Sequence, residues 1–78
     1  MKVLIKSAWG SDDPTKAAFA FLHANAVAAE GDEVRVFLLG EAVNLMKDEV
    51  MNAVTPVGWP PLASIMAETI SHRIPLNV

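Results

Sequence analysis

The chain has 78 residues, a net charge of −3, 53% hydrophobic residues and no cysteine. That length allows one small domain, and the missing cysteines exclude both disulfides and thiolate metal sites. The six basic residues form no stripe and no aromatic-basic interleaving, which excludes a nucleic-acid-binding surface of the usual kind.

Domains this short are commonly reinforced by disulfides, metals or oligomerisation. Only His23 and His72 could supply imidazole ligands, and they fall on different predicted elements. Oligomerisation remains, and the high apolar fraction suits a chain that reserves surface for a partner. No apolar run is long enough to span a bilayer. Met1-Lys2 leads straight into a strand, without the features of a secretion signal, so the expected location is the cytoplasm.

The first thirty residues organise the rest. Val3-Leu4-Ile5-Lys6-Ser7-Ala8 is a nearly continuous, branched apolar run, predicted as a strand covered on both faces. The turn Trp9-Gly10-Ser11-Asp12-Asp13 follows, and an alanine-rich helix is predicted from Pro14 to Glu30. Asp12 and Asp13 are natural N-caps, because a carboxylate accepts from the free first-turn N–H groups. Pro14 suits the first helical position, where its missing N–H costs nothing. Within the helix, Ala18, Leu22, Ala26 and Ala29 are expected to make one packed row, with Phe19 and Phe21 directed elsewhere. Gly31 suits a left-handed cap.

Glu33 to Gly40 is the second predicted strand. Its short link to the helix implies a βαβ unit with parallel strands. Gly40 to Asn52 is predicted helical, with Val43, Met46, Val50 and Val54 as its apolar positions. Thr55-Pro56-Val57-Gly58-Trp59-Pro60-Pro61 is a loop by its prolines and glycine. A third helix is expected from the spacing of Leu62, Ile65, Met66, Thr69 and Ile70, with His72-Arg73 placing positive charge at its end.

Ile74-Pro75-Leu76-Asn77-Val78 reads as the start of another strand. The predicted architecture is therefore α/β: a three-layer α/β/α domain, mostly parallel, with βαβααβ order over residues 1–78. A three-stranded parallel sheet carries two exposed edges. The expectation is an N-terminal part of a domain that runs on for one or two more βα units. A 78-residue protein completed by self-association is the alternative.

The Trp9–Lys16 turn invites comparison with phosphate-binding loops, but neither G-x-G-x-x-G nor G-x-x-x-x-G-K-[ST] is present. Asp12 and Asp13 would also repel a phosphate from the helix N-terminus. That weakens a flavodoxin-like nucleotide-binding reading. Ser7, Ser11, Ser64 and Ser71 lack nucleophile-elbow context. The residues therefore yield no catalytic group, no metal site and no cofactor. Ligands of open α/β sheets bind beyond the carboxyl ends of the strands. Trp9, Gly10, Ser11, Asp12, Asp13 and Trp59 are accordingly the candidate pocket wall.

As a whole, the pattern resembles the DsrE/DsrF-like family of small sulfur-relay proteins. The resemblance rests on the order and spacing of M-K-V-L-I, D-D-P-T-K-A, G-D-E-V-R-V-F-L-L-G-E-A-V, V-G-W-P-P-L and the helix before Ile74-Pro75-Leu76-Asn77-Val78. It implies a single α/β/α domain with a roughly five-stranded, mostly parallel sheet, assembled as dimers, trimers or hexamers. It also implies a role in intracellular sulfur transfer, with a sulfur-carrier protein as partner. Family members in that chemistry carry a persulfide on a cysteine just after the strand that Ile74–Val78 resembles. This chain has no cysteine, and without a thiolate there is no persulfide carrier. A non-catalytic small-molecule or protein-binding assembly subunit of the same fold is the alternative expectation.

Overall fold

The computed structural model describes residues 1–78. Three parallel strands, β1 (Lys2–Ser7), β2 (Glu33–Leu38) and β3 (Leu76–Asn77), form one sheet in the order β1-β2-β3. Helix α1 (Pro14–Ala29) connects the first two strands. A 3-10 segment (Gly40–Met46) and helices α2 (Asp48–Ala53) and α3 (Leu62–Ser71) connect β2 to β3. This is a small α/β domain with a parallel three-stranded sheet and three α-helices, consistent with an incomplete α/β/α arrangement.

The helices share one face of the sheet. Val34, Val36 and Leu38 of β2 lie in one core with Ala17, Ala18, Phe21 and Ala24 of α1, Ala42 and Leu45 of the 3-10 segment, and Leu62, Ile65 and Met66 of α3. Fully burying a side chain such as Phe21 contributes roughly 2–3 kcal/mol. The surrounding alanines let α1 lie close to the strands.

Side chains alternate across a strand, and the register sets the opposite face. Lys2 pairs with Glu33, Leu4 with Arg35 and Lys6 with Phe37. Of these, only Phe37 is even half-buried, and Leu4 is 55% exposed. The expected two-sided cover of β1 is thus corrected to one-sided burial, because no element of residues 1–78 packs on the second face.

Three details of the helices differ from their sequence patterns. In α1 the buried set is Ala17, Ala18, Ala20, Phe21, Ala24 and Asn25; Ala26 and Ala29 of the expected row are exposed. Phe21, with far more area to bury than alanine, decides which face turns inward. The single helix expected from Gly40 to Asn52 begins as a 3-10 segment, whose three-residue repeat stacks Ala42 over Leu45. Val43 and Met46 consequently face outward, 38% and 41% exposed. In α3, Leu62, Ile65, Met66 and Thr69 are buried as expected, whereas Ile70 is exposed.

Candidate functional site

At the carboxyl end of β1, the turn folds around its own carboxylates. Gly10 N–H donates to Asp12 Oδ1 at 2.8 Å, and Lys16 N–H donates to Asp13 Oδ1 at 3.1 Å. Asp13 is thus the N-cap of α1, and Pro14 holds its first position. Only Asp13 caps the helix as expected. The expected cap role of Asp12 is corrected, because its carboxylate turns back to Gly10 N–H and holds the turn instead of the first helical turn.

Gly10 is buried against the backbone of the 3-10 segment. A Cβ there would lie 2.3 Å from the Glu41 carbonyl oxygen, so only glycine fits. The approach clamps the β1 turn to the end of β2. Leu39 N–H donates to the Ser7 carbonyl at 2.9 Å beside it. The proline-rich loop is tied in by Val57 N–H, which donates to Thr15 Oγ1 at 3.0 Å.

Trp9 is 43% exposed, and its ring faces the Lys16 ammonium, with Nζ 5.1 Å from the centroid. Lys16 Nζ also lies 3.9 Å from Asp13 Oδ2. Trp9 therefore belongs to a cation–π and ion-pair cluster at the start of α1. Of the six candidate wall residues, Trp9 alone lines either of two cavities, one beside Trp9 and one at the far end of the strands. Gly10, Asp12 and Asp13 build the turn, Ser11 is exposed at its tip, and Trp59 is 51% exposed on the proline-rich loop. Strand order follows chain order, so the reversal that opens a binding crevice in doubly wound sheets is not formed by these three strands.

The cavity at Trp9, about 350 Å³, runs along β1 and the outer flank of α1, between Ile5, Ser7, Lys16, Phe19 and His23. Phe19 and His23 stack there with ring centroids 6.2 Å apart and planes at 18°. Ser7 Oγ is buried beside this cavity without a hydrogen-bond partner. Phe19 and His23 stand four residues apart on a helix, a spacing legible in the sequence, although their relation to Trp9 is not.

A larger cavity, about 710 Å³, lies at the opposite, amino end of the strands. Lys2 of β1, Arg35 of β2, and His72 and Arg73 from the α3–β3 connection line it, with Val34 and Ile74 among its apolar walls. Sequence reading did not find this cavity, because its residues come from three separate stretches. No three His, Asp or Glu side chains converge as a metal site. No helix is long and apolar enough to cross a membrane.

No protein-family model, no curated protein and no solved structure matches the chain.

Proposed function

We propose that this chain is the N-terminal portion of a DsrE/DsrF-like domain, three-layered and mostly parallel when whole, acting in intracellular sulfur transfer in the cytoplasm. The observation that carries the reading is the placement of β3. It runs parallel to β2, with Leu76 opposite Val36 and Asn77 opposite Phe37. A cysteine following Val78 would emerge at the carboxyl end of the sheet, on the side where the Trp9–Asp13 turn meets Glu41. There its thiolate would attack the outer sulfur of a donor persulfide, breaking the donor's S–S bond and releasing the donor thiolate, and a carrier protein's thiolate would take that sulfur on by the same displacement. No residue between Met1 and Val78 supplies that thiolate.

The deciding experiment is the intact mass of the protein from its source cells, with alkylation to trap a persulfide. A mass above 8.4 kDa with a trapped persulfide on a cysteine soon after Val78 is the expected result. A natural chain without that cysteine overturns sulfur transfer.

A second reading, a non-catalytic binding or assembly subunit, is favoured by the apolar side chains left at the surface. Leu4, Trp9 and Phe19 are 55%, 43% and 40% exposed along β1 and its flank. Both readings include a homo-oligomer, for which the free edge of β1 and the open sheet face are the available surfaces.

A further inference from the structure

We propose that the cleft at the amino ends of β1 and β2 is a binding site for a soluble organic phosphate. The proposal is independent of sulfur transfer and rests on charge and shape. Lys2, Arg35 and Arg73 are half of the chain's six basic residues, and the fold brings all three to one cleft. None of them has a carboxylate within ion-pairing distance; the only ion pairs are Met1–Asp32 and Lys16–Asp13. Asp32, in the cleft lining, is already matched by the Met1 ammonium at 3.3 Å. Glu33 is then the one remaining carboxylate facing three cations, in a protein of net charge −3.

The volume, about 710 Å³, falls within the range of small-molecule sites. Two guanidinium forks and an ammonium suit the oxygens of a phosphate group better than a single-point anion. Leu4, 55% exposed, and the thin exposed edges of Val34 and Ile74 give apolar surface for the organic part of the ligand. The His72 ring adds a hydrogen-bonding edge.

Arg73 has a φ of +57°, the left-handed region that glycine or asparagine enters more cheaply. The chain thus carries an arginine at a strained backbone position on the cleft wall. That position supplies a test in which loss of binding cannot be loss of fold. Arg73→Gly removes the charge while relieving the backbone.

The experiment is a titration of the isotopically labelled 78-residue chain, followed by amide chemical shifts, with butyl phosphate and with pyrophosphate as probes. Saturable shifts are expected at Lys2, Val34, Arg35, Arg73 and Ile74, with butyl phosphate favoured through its apolar tail. Affinity should fall about tenfold in Arg35→Gln and in Arg73→Gly, in line with loss of one charged hydrogen-bonding partner. It should also weaken as salt rises from about 0.01 M to 0.15 M, where the screening length shrinks from about 30 Å to about 8 Å. Lys47→Gln, the same charge change on an exposed residue outside the cleft, should leave binding within about twofold. Three results overturn the proposal: no saturable shifts up to about 20 mM probe, equal loss in Lys47→Gln, or full affinity in Arg73→Gly. A parallel arm uses phosphatidylglycerol vesicles. Arginine-dependent vesicle binding without butyl phosphate binding would assign the cleft to lipid headgroups and overturn the soluble ligand.

Discussion

Thr69 Oγ1 donates to Asn25 Oδ1 at 2.8 Å, a hydrogen bond that joins α3 to α1 in the buried interior. Asn25 answers with Nδ2, donating to the Ile65 carbonyl at 3.1 Å and to Glu68 Oε2 at 3.3 Å. Asn25 is 4% exposed and Thr69 not at all, and Thr69 Oγ1 is the one partner of Asn25 Oδ1, whereas the Thr69 hydroxyl also lies 3.2 Å from the Ile65 carbonyl of its own helix. The pair fixes how far α3 is rotated against α1, since sliding either helix by one turn would strand the Asn25 side-chain oxygen.

Removing both partners should therefore cost less than the two single losses added together. Thr69→Val leaves the Asn25 carbonyl oxygen buried and unpaired, and should lower unfolding free energy by about 1–2 kcal/mol. Asn25→Leu removes the bonds to Ile65 and Glu68 but leaves the Thr69 hydroxyl its Ile65 acceptor, and should cost about 1 kcal/mol. The double variant is expected to be more stable than the sum of the two losses. Urea denaturation of the four proteins closes the cycle, and strict additivity would show that the contact carries no coupling.

Gly10 and Gly58 call for glycine for different reasons. At Gly10 a Cβ collides with the Glu41 backbone, whereas Gly58 has open space around it and a φ of +79°. Gly58→Ala should cost only about 1 kcal/mol of backbone strain. Gly10→Ala should cost at least about 3 kcal/mol, because the β1 turn must separate from the 3-10 segment. Equal losses in thermal melts would contradict a clamp between Gly10 and Glu41.

The Asp13 cap offers a milder test. Asp13→Ala removes the acceptor of Lys16 N–H and the ion pair to Lys16 Nζ, and should destabilise the fold by about 1 kcal/mol. Asp13→Asn keeps the cap acceptor and should recover most of that loss. Amide exchange at Lys16 reads the cap directly: protection should drop in the alanine variant and persist in the asparagine variant.

Self-association is the remaining expectation with a direct readout. Leu4, midway along the edge strand β1 on the open sheet face, is flanked by Lys2, Lys6 and Arg35. Leu4→Asp should leave the fold intact and shift the sedimentation profile toward monomer. A wild-type chain that sediments as an 8.4 kDa monomer at micromolar concentration would remove oligomerisation from the functional reading.

Much of this fold could be read one element at a time. The caps at Asp13 and Pro14, the left-handed Gly31, the parallel β1–β2 pair and the buried side of α3 all follow from local chemistry. The inward face of α1 could not be read this way, because an alanine-rich helix presents several nearly equal stripes. The choice fell to Phe21 and to Asn25, whose partners stand forty or more residues further along the chain. The segment after β2 is ambiguous in sequence for a related reason. Its apolar residues fit both a 3.6-residue and a three-residue repeat, and only packing against the core separates the two.

The candidate site divides along the same line. By itself the sequence determined the turn from Trp9 to Asp13, since helix capping and proline placement act over a few bonds, and it determined that no thiolate lies within the chain. Only the tertiary structure decided that Trp9 stands over Lys16, that Gly10 is pinned beneath Glu41, and that Trp59 lines neither the cavity at Trp9 nor the cleft at the amino ends of the strands. It also decided that Lys2, Arg35 and Arg73, scattered along the sequence, line one cleft. Capping energies are local, while charge clustering depends on strand register and on where α3 returns the chain, which are set by the burial of a shared core.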